Sequence, residues 1–484
     1  MRRQYEQLKD HFYGPAGSVL LHVVIVFLLI KFVSFSRQPR QPEVEIMLLD
    51  PQAVDLHEVK QLSKEIQELT KLDLELKPDT REAVPTEQAV SAFQNAEIDL
   101  DMSTLDISDA MSPLLMKGLY AGRTSSGRDR GLRLYGGSAA TERAVLKALE
   151  WLKKNQEPDG SWKSNRIAMT GLGLLAFLAH GETPGGGRFG ETVEKALNYL
   201  TSHQHDNGYF GAWPPNGNHS VYAHAIATYA LSEAYGLTRA PILKFAMDGG
   251  ISRIIEGQQL GGGWDYNYNK TSRRDTSVVG WHVQALKAAY LAGCSHPNLR
   301  DAMSRSIKDL KTSVNKSNHQ FQYAPGHSGS TTMTGIGVLA LQFLGQGNGP
   351  EVQQGLRALE KEVCSWDHRK HKSPAPMYGW YYITQAKFHQ GGHTWDSWNV
   401  QFARTLVRAQ AKDGHWDFPA KDAAGHKEHG SNEGPVFSTT LGALMLQVYY
   451  RNLPTFKQSA SEQNDALYEY HKKEKSEEVR IEIL

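Results

Sequence analysis

The chain has 484 residues, and 53 Lys and Arg stand against 52 Asp and Glu, a net charge of +1. With 22% charged residues and no strongly basic field, it lacks the footprint of a nucleic-acid binder. Its two cysteines, Cys294 and Cys364, lack the companions of a zinc-finger spacing.

Residues 12–30 contain no Asp, Glu, Lys or Arg. As a helix that stretch spans about 28 Å, enough for a bilayer core. It is too long for a comfortable signal-peptide core, and no clear small-x-small cleavage site follows it. The expectation is a cytoplasmic N-terminus (1–11) and an uncleaved transmembrane anchor (12–35). Arg2, Arg3 and Lys9 precede the run and Lys31, Arg37 and Arg40 follow it, so charge alone does not fix orientation. Ser18 and His22 are four residues apart and share one helical face. An ionisable group in a membrane helix usually faces a partner or a proton path.

This SVLLH stretch (18–22), followed by PEVEIMLLDP (42–51), resembles the amino terminus of TonB-type energy transducers over residues 1–51. The resemblance implies that Ser18 and His22 contact proton-driven, ExbB/ExbD-like motor proteins. It also implies a single pass through a bacterial inner membrane, with the bulk of the chain in the periplasm. The Pro-rich spacer and the carboxy-terminal domain of those transducers are missing. A plain anchor with its His near a helix end is the alternative.

Residues 36–137 read as a linker. Val59, Leu62, Ile66, Leu69 and Leu76 approximate a heptad seam interrupted by Asp73, which predicts a short helix. An acidic spacer around Glu97, Asp99, Asp101, Asp106 and Asp109 follows, and residues 121–137 are Gly-, Arg- and Ser-rich.

From residue 138 to 455 a repeat takes over at intervals of about 50 residues. Each unit is an amphipathic helix leading into a blander one. In 141–155, Val145, Leu149 and Leu152 form an apolar stripe opposite Lys147, Glu150 and Lys153. The second helices, such as GLGLLAFLAHG (171–181) and TGIGVLALQFLG (334–345), are apolar or small nearly all round, which predicts burial. Four first helices end in Gln-x-x-x-Gly-x-aromatic: Gln156/Gly160/Trp162, Gln204/Gly208/Phe210, Gln258/Gly262/Trp264 and Gln410/Gly414/Trp416. The first helices at 297–313 and 350–363 lack this ending. Six buried helices inside six amphipathic ones predict an all-α fold, an α6/α6 toroid (double-layered helical barrel) of six helix-pair repeats. On such a ring the two cysteines fall two repeats apart, too far for a comfortable disulfide. Residues 456–484 form a polar tail.

Over 141–454 these repeats resemble the terpenoid cyclase/protein prenyltransferase superfamily, the squalene-cyclase-like proteins of the QW motif. The resemblance implies that the glutamines and aromatics of the motif are structural. Gln156, Gln204, Gln258 and Gln410 would bond exposed backbone groups at neighbouring helix ends, while Trp162, Phe210, Trp264 and Trp416 pack between repeats.

The resemblance also sets what a catalytic member needs. Proton-initiated cyclases carry Asp-x-Asp-Asp-Thr, and the matching stretch here is Ser272-Arg273-Arg274-Asp275-Thr276. Arg274 stands in the acid's place, and Asp275, the one weak catalytic candidate, is expected to be a helix cap held as a carboxylate beside two arginines. Protein prenyltransferases need an Asp-x-Cys zinc pair, and neither cysteine has an Asp two positions earlier, so neither a metal nor a cofactor is expected.

Aromatic and polar residues near the starts of the second helices are the candidates for lining a ligand cavity: Trp213, Tyr222, His224, Trp264, Asp265, Trp281, His282, Tyr378, Trp380 and Phe437, together with Tyr266, Tyr268, His327 and Tyr381. His393, Trp395, Asp396 and Trp398 open a first helix and are expected to cap and pack. The favoured reading is a membrane-anchored toroid that binds an isoprenoid, another apolar ligand or a polymer without chemistry. A diverged terpenoid cyclase or transferase is the alternative. A carbohydrate-active α/α toroid is the third, with Asp265, Asp417 and Glu433 as the carboxylates to place.

Overall fold

A computed structural model describes residues 120–451, apart from 216–217, 272, 372, 374 and 421–430. The chain divides into two units, Met1–Val59 and Lys60–Leu484, and every described residue belongs to the second. The expected anchor with Ser18 and His22, the 59–76 helix and the tail lie outside the described residues. Among the described residues no helix is long and apolar enough to cross a membrane.

Among the described residues six helices form an inner ring: α3 (Arg166–His180), α5 (Asn218–Thr238), α7 (Thr276–Ala292), α9 (Thr331–Phe343), α11 (Pro376–Gln390) and α13 (Pro435–Leu446). Each packs against the next, and α13 returns to α3, so the ring is closed. Six outer helices surround it: α2 (Ala139–Lys154), α4 (Gly190–Ser202), α6 (Pro241–Gly257), α8 (Leu299–Thr312), α10 (Pro350–Ala358) and α12 (Gly392–Ala409). The all-α toroid expected from the repeats is therefore present. Its packing unit is an inner helix with the outer helix that follows it. The first outer helix, α2, lies mainly on the last inner helix, α13, which joins the two ends of the repeat region.

The two layers follow from composition. On α2, Val145, Leu149 and Leu152 are fully buried while Lys147 and Lys153 are exposed. Each such buried side chain contributes about 1.5–3 kcal/mol. Inner helices approach closely because small residues face large ones. A side chain at Gly171 would meet Ile226 across the α3–α5 contact, and one at Gly335 would meet Ile383 across α9–α11.

The repeated signature links the outer layer. Gln156 Nε2 donates to Gly160 O (2.9 Å) and to Thr192 O on the next outer helix (2.9 Å). Gln204 bonds Gly208 and Ala246, and Gln258 bonds Gly262 and Ala302, in the same way. Gln410 closes the circle, bonding Gly414 and Ala144 of α2. The indoles of Trp162, Trp264 and Trp416 donate to Leu152 O, Ile254 O and Leu406 O, carbonyls in the last turn of their own outer helices. The glycines between are left-handed (φ 89, 86, 100 and 109°), and their missing side chains leave room for a carbonyl of the neighbouring outer helix. A further regularity is absent from the linear motif. The backbone N–H of the aromatic is accepted by the next inner helix, from Trp162 to Thr170, Phe210 to His224 and Trp416 to Thr439. The repeat after α8 retains this last bond, from Phe321 to Thr334, although its glutamine is lost.

Residues 121–137, read from composition as spacer, are folded. A 3-10 turn (Ala121–Arg123) leads into α1 (Ser125–Tyr135), capped by Thr124 and closed by left-handed Gly136 (φ 78°). Glycine serves close approach here: side chains at Gly122 and Gly131 would meet the carbonyls of Tyr450 and Tyr449. Those tyrosines belong to α14 (Val448–Arg451), so this segment lies across the carboxyl ends of the inner helices. Arg123 is buried there against Glu233 (2.5 Å) and donates to Leu178 O and Arg451 O.

Candidate ligand-binding mouth

The inner helices begin where the turns after the outer helices end, so aromatics from different repeats converge at one end of the barrel. Five of the expected cavity residues, Tyr222, Tyr266, Trp281, Tyr378 and Phe437, meet there. Tyr222 opens α5, Trp281 lies in α7, Tyr378 opens α11 and Phe437 opens α13. The Trp281 indole donates to Tyr378 Oη (3.0 Å), and the Tyr378 and Phe437 rings lie 6.4 Å apart. Tyr266 stands edge-on to Tyr222 at 6.0 Å, and its hydroxyl contacts that of Tyr323. Tyr222, Tyr266, Tyr323, Tyr378 and Phe437 are half-buried and form the rim.

Beneath the rim lies Asp275, the N-cap of α7 and fully buried. Its Oδ1 accepts the backbone N–H groups of Ser277 (2.9 Å) and Val278 (3.3 Å) and the Ser277 hydroxyl. Because Ser277 donates its proton to Asp275, the Tyr222 hydroxyl is the donor in its 2.5 Å bond to Ser277 Oγ. Asp275 Oδ2 is enclosed, and the Tyr266 and Tyr323 hydroxyls lie within hydrogen-bonding reach of the carboxylate. Burial first, and then the Asp275 carboxylate, pushes the Tyr222 and Tyr266 phenols well up. Burial and the same carboxylate raise Tyr323.

The helix-cap role expected for Asp275 is present, but the expected arginine support is not. Arg274 turns away to the outer layer, where its Nε bonds Asp309 on α8 at 2.7 Å and both side chains are buried. Arg273 is exposed, with its guanidinium 5.5 Å from the Tyr266 ring. Successive residues of an extended segment point to opposite sides, so an arginine adjacent in sequence need not be adjacent in space.

Below Asp275 the axis is occupied. Trp281 stacks on Tyr381 of α11 (5.7 Å), and the Tyr381 hydroxyl donates to Gln284 Oε1 of α7 (3.0 Å). Tyr382 packs edge-on against Trp281 (5.8 Å). Arg451 reaches in from the far end and donates to Tyr229 Oη (3.0 Å), Tyr381 Oη (3.2 Å) and Gln385 Oε1 (3.3 Å). All of these groups are buried. A cation suits this end, where the carboxyl ends of six inner helices converge.

The remaining expected residues are elsewhere. Trp264, His224, His282 and Trp380 face the outer layer rather than the axis. Trp264 packs on His282 (4.8 Å), whose Nδ1–H bonds Val278 O and whose Nε2 accepts the Tyr268 hydroxyl. Burial pushes His282 down to about 3 and His224 well below its ordinary value, so both rings are neutral. Trp380 lies against Trp366 and His371. Asp265 is spent on a turn, its Oδ1 accepting the N–H groups of Asn267 and Asn269. Trp213 is 45% exposed beside Tyr209, and His327 lies edge-on to Tyr323. Asp417 is exposed, and Glu433 ties Ser164 and the Asn165 N–H to its own turn. Trp395 and Trp398 are buried packing residues, as expected, and their indoles donate to Tyr135 O and Thr384 Oγ1. Both cysteines are free and buried.

Sequence reasoning missed Ser277, Tyr323 and Arg451, along with the axis residues Tyr229, Gln284, Tyr382 and Gln385. Ser277 had a usable signal, since a serine two residues after a helix cap is well placed to bond it. Tyr323 follows an outer helix without the glutamine signature, and nothing in the sequence announces that Arg451 folds back to the axis.

No family profile and no curated protein sequence matches the chain. Solved structures with similar backbones include an inactive variant of an α-1,6-mannanase from Salegentibacter sp. HEL1_6 bound to α-1,6-mannotriose. It has 12% identity and a TM-score of 0.48, over 64% of this chain and 99% of that one. An α-amylase from Clostridium perfringens has 10% identity and a TM-score of 0.46, over 64% and 98%. A type II terpene cyclase variant from Scytonema bound to its geranylgeranyl dihydroxybenzoate substrate has 15% identity and a TM-score of 0.43, over 64% and 97%.

Proposed function

We propose that this chain is a binding toroid held at a membrane, and that its mouth receives a ligand without transforming it. The supporting observation is the filled axis. Trp281, Tyr381, Tyr382, Gln284 and Arg451 touch across the middle of the ring, where a cyclase would need an empty apolar chamber to fold a long polyene. Asp275 is committed through Oδ1 to the start of α7, and a side chain holding a helix end is poorly placed to cycle protons. Asp265 is bonded within its own turn, Asp417 is exposed, and Glu433 is bonded to Ser164 and the Asn165 N–H.

The 12–30 run and the Ser18/His22 pair support tethering at an inner membrane with the toroid in the periplasm, and coupling to a proton-driven motor through His22. The chemical part of the proposal is tested by incubating the full chain in detergent with squalene or geranylgeranyl diphosphate and analysing the products. No cyclised or transferred product is expected. A product that disappears in Asp275→Asn overturns the reading. Coupling is tested by crosslinking His22→Ala to the motor proteins in membranes: loss of the crosslink is expected, and unchanged crosslinking removes the motor from the proposal.

A further inference from the structure

Resting on the binding reading, we infer that the ligand of the mouth is an organic cation, an ammonium group in an apolar methyl shell that sits on the rings of Tyr222, Tyr266, Tyr323, Tyr378 and Phe437. The first ground is the make-up of the rim. Five half-buried aromatics, from α5, α11, α13 and the turns after α6 and α8, gather at one end of the barrel. Tyr266 stands edge-on to Tyr222 at 6.0 Å, and Tyr378 is tilted against Phe437 at 6.4 Å, so neighbouring rings are turned against one another rather than stacked. The face of an aromatic ring is its negative side, and several faces around one point hold a cation.

The second ground is the direction of the phenolic protons. Tyr222 donates to Ser277, which donates to Asp275. The Tyr266 and Tyr323 hydroxyls contact each other, and both lie within hydrogen-bonding reach of Asp275. Their two protons are therefore committed to that contact and to the carboxylate. Three rim phenols thus direct their protons inward, toward one buried negative charge, and keep oxygen lone pairs and ring faces for the opening. A phenol that donates to a carboxylate gains negative charge on its oxygen and ring, which strengthens its attraction for a cation. Asp275 is enclosed and touches no ligand; its charge acts through the tyrosines.

The third ground is charge. Among the described residues no cationic side chain is ion-paired with Asp275, because the adjacent Arg274 pairs with Asp309 instead. The positive end of α7 is capped by Asp275 itself. The rim already draws one cation of its own: the exposed Arg273 holds its guanidinium 5.5 Å from the Tyr266 ring. An anionic ligand would meet the field of the carboxylate. A sugar would look for donors that three of the four rim phenols direct inward, and a long isoprenoid would leave the phenol oxygens unpaired.

The test uses the full chain in a non-ionic detergent, titrated by calorimetry with choline, with neopentyl carbinol (its neutral carbon analogue of the same shape) and with farnesol. Choline is expected to bind about 10-fold more tightly than the carbinol. Asp275→Asn keeps a good helix cap but removes the charge. It is expected to weaken choline binding about 10-fold and to leave the carbinol unchanged, while the thermal midpoint stays close to wild type. Arg273→Gln is an exposed change that removes the resident cation, and is expected to tighten choline binding about 3-fold. Equal affinity for choline and the carbinol overturns the inference, as does choline binding that neither substitution alters. Binding of farnesol alone overturns it too, but leaves the binding reading standing. Binding of none of the three removes both.

Discussion

Replacing Gly414 by alanine tests whether the ring is held by close approach in its outer layer. Gly414 has φ 109°, and a Cβ there would lie far inside contact with the Lys147 carbonyl of α2. Left-handed backbone costs a non-glycine residue about 1–2 kcal/mol. Moving α2 away also strains the Gln410 bonds to Ala144 and Gly414, each worth about 1 kcal/mol. The sum is about 3–4 kcal/mol, or ~4–6 °C in thermal midpoint at roughly 1.5 °C per kcal/mol for a domain of this size. Gly185 is the control. It too is left-handed (φ 72°), but a Cβ there meets nothing within 4 Å. Gly185→Ala should therefore cost only the backbone contribution, about 1–2 kcal/mol, half or less of the cost at Gly414. The assay is thermal unfolding of the full chain followed by circular dichroism. Equal shifts in the two variants would refute the argument, because backbone strain alone would then account for both.

Other outcomes follow from the buried polar groups. Glu233→Gln should destabilise by about 3–5 kcal/mol by leaving Arg123 buried without its partner, and Arg123→Met in the same chain should recover part of it, read by denaturant titration. Asp275→Ala should lower stability by about 1 kcal/mol through loss of the α7 cap, while Asp275→Asn should not, measured by thermal midpoint. Burial pulls His180 down, but its bonds to Glu142 and Glu182 outweigh this and leave it raised. A raised histidine stabilises the fold below its ordinary value of about 6.5 and loses that contribution as pH climbs through the raised one. The thermal midpoint should therefore fall as pH rises past neutrality, and His180→Asn should flatten that fall. An unchanged slope would mean that His180 does not carry it.

Much of the architecture was legible because it is periodic. Glutamine, glycine and aromatic at fixed offsets recur at the ends of four of the six outer helices, and the buried helices are largely apolar or small. Residues 121–137 were misread because glycine and serine suggest a spacer when the partner that needs close approach, the Tyr449–Arg451 segment, lies over 300 positions away. The mouth was legible only in part. Helix starts identify Tyr222, Tyr378 and Phe437, but the inward or outward direction of a side chain depends on helix rotation. Trp281 and His282 are adjacent, and one faces the axis while the other faces the outer layer. Arg274 and Asp275 part company for the same reason. A helix that is apolar on every side gives no signal of which side is inside.

The central claim is that the barrel axis is occupied by the chain's own side chains. Xenon enters dry apolar cavities large enough to hold it, so diffraction from xenon-pressurised crystals of the protein tests the claim directly. No xenon is expected on the axis between Trp281 and Arg451. An ordered xenon site there would reveal an open chamber of the kind a cyclase needs, and would contradict the account.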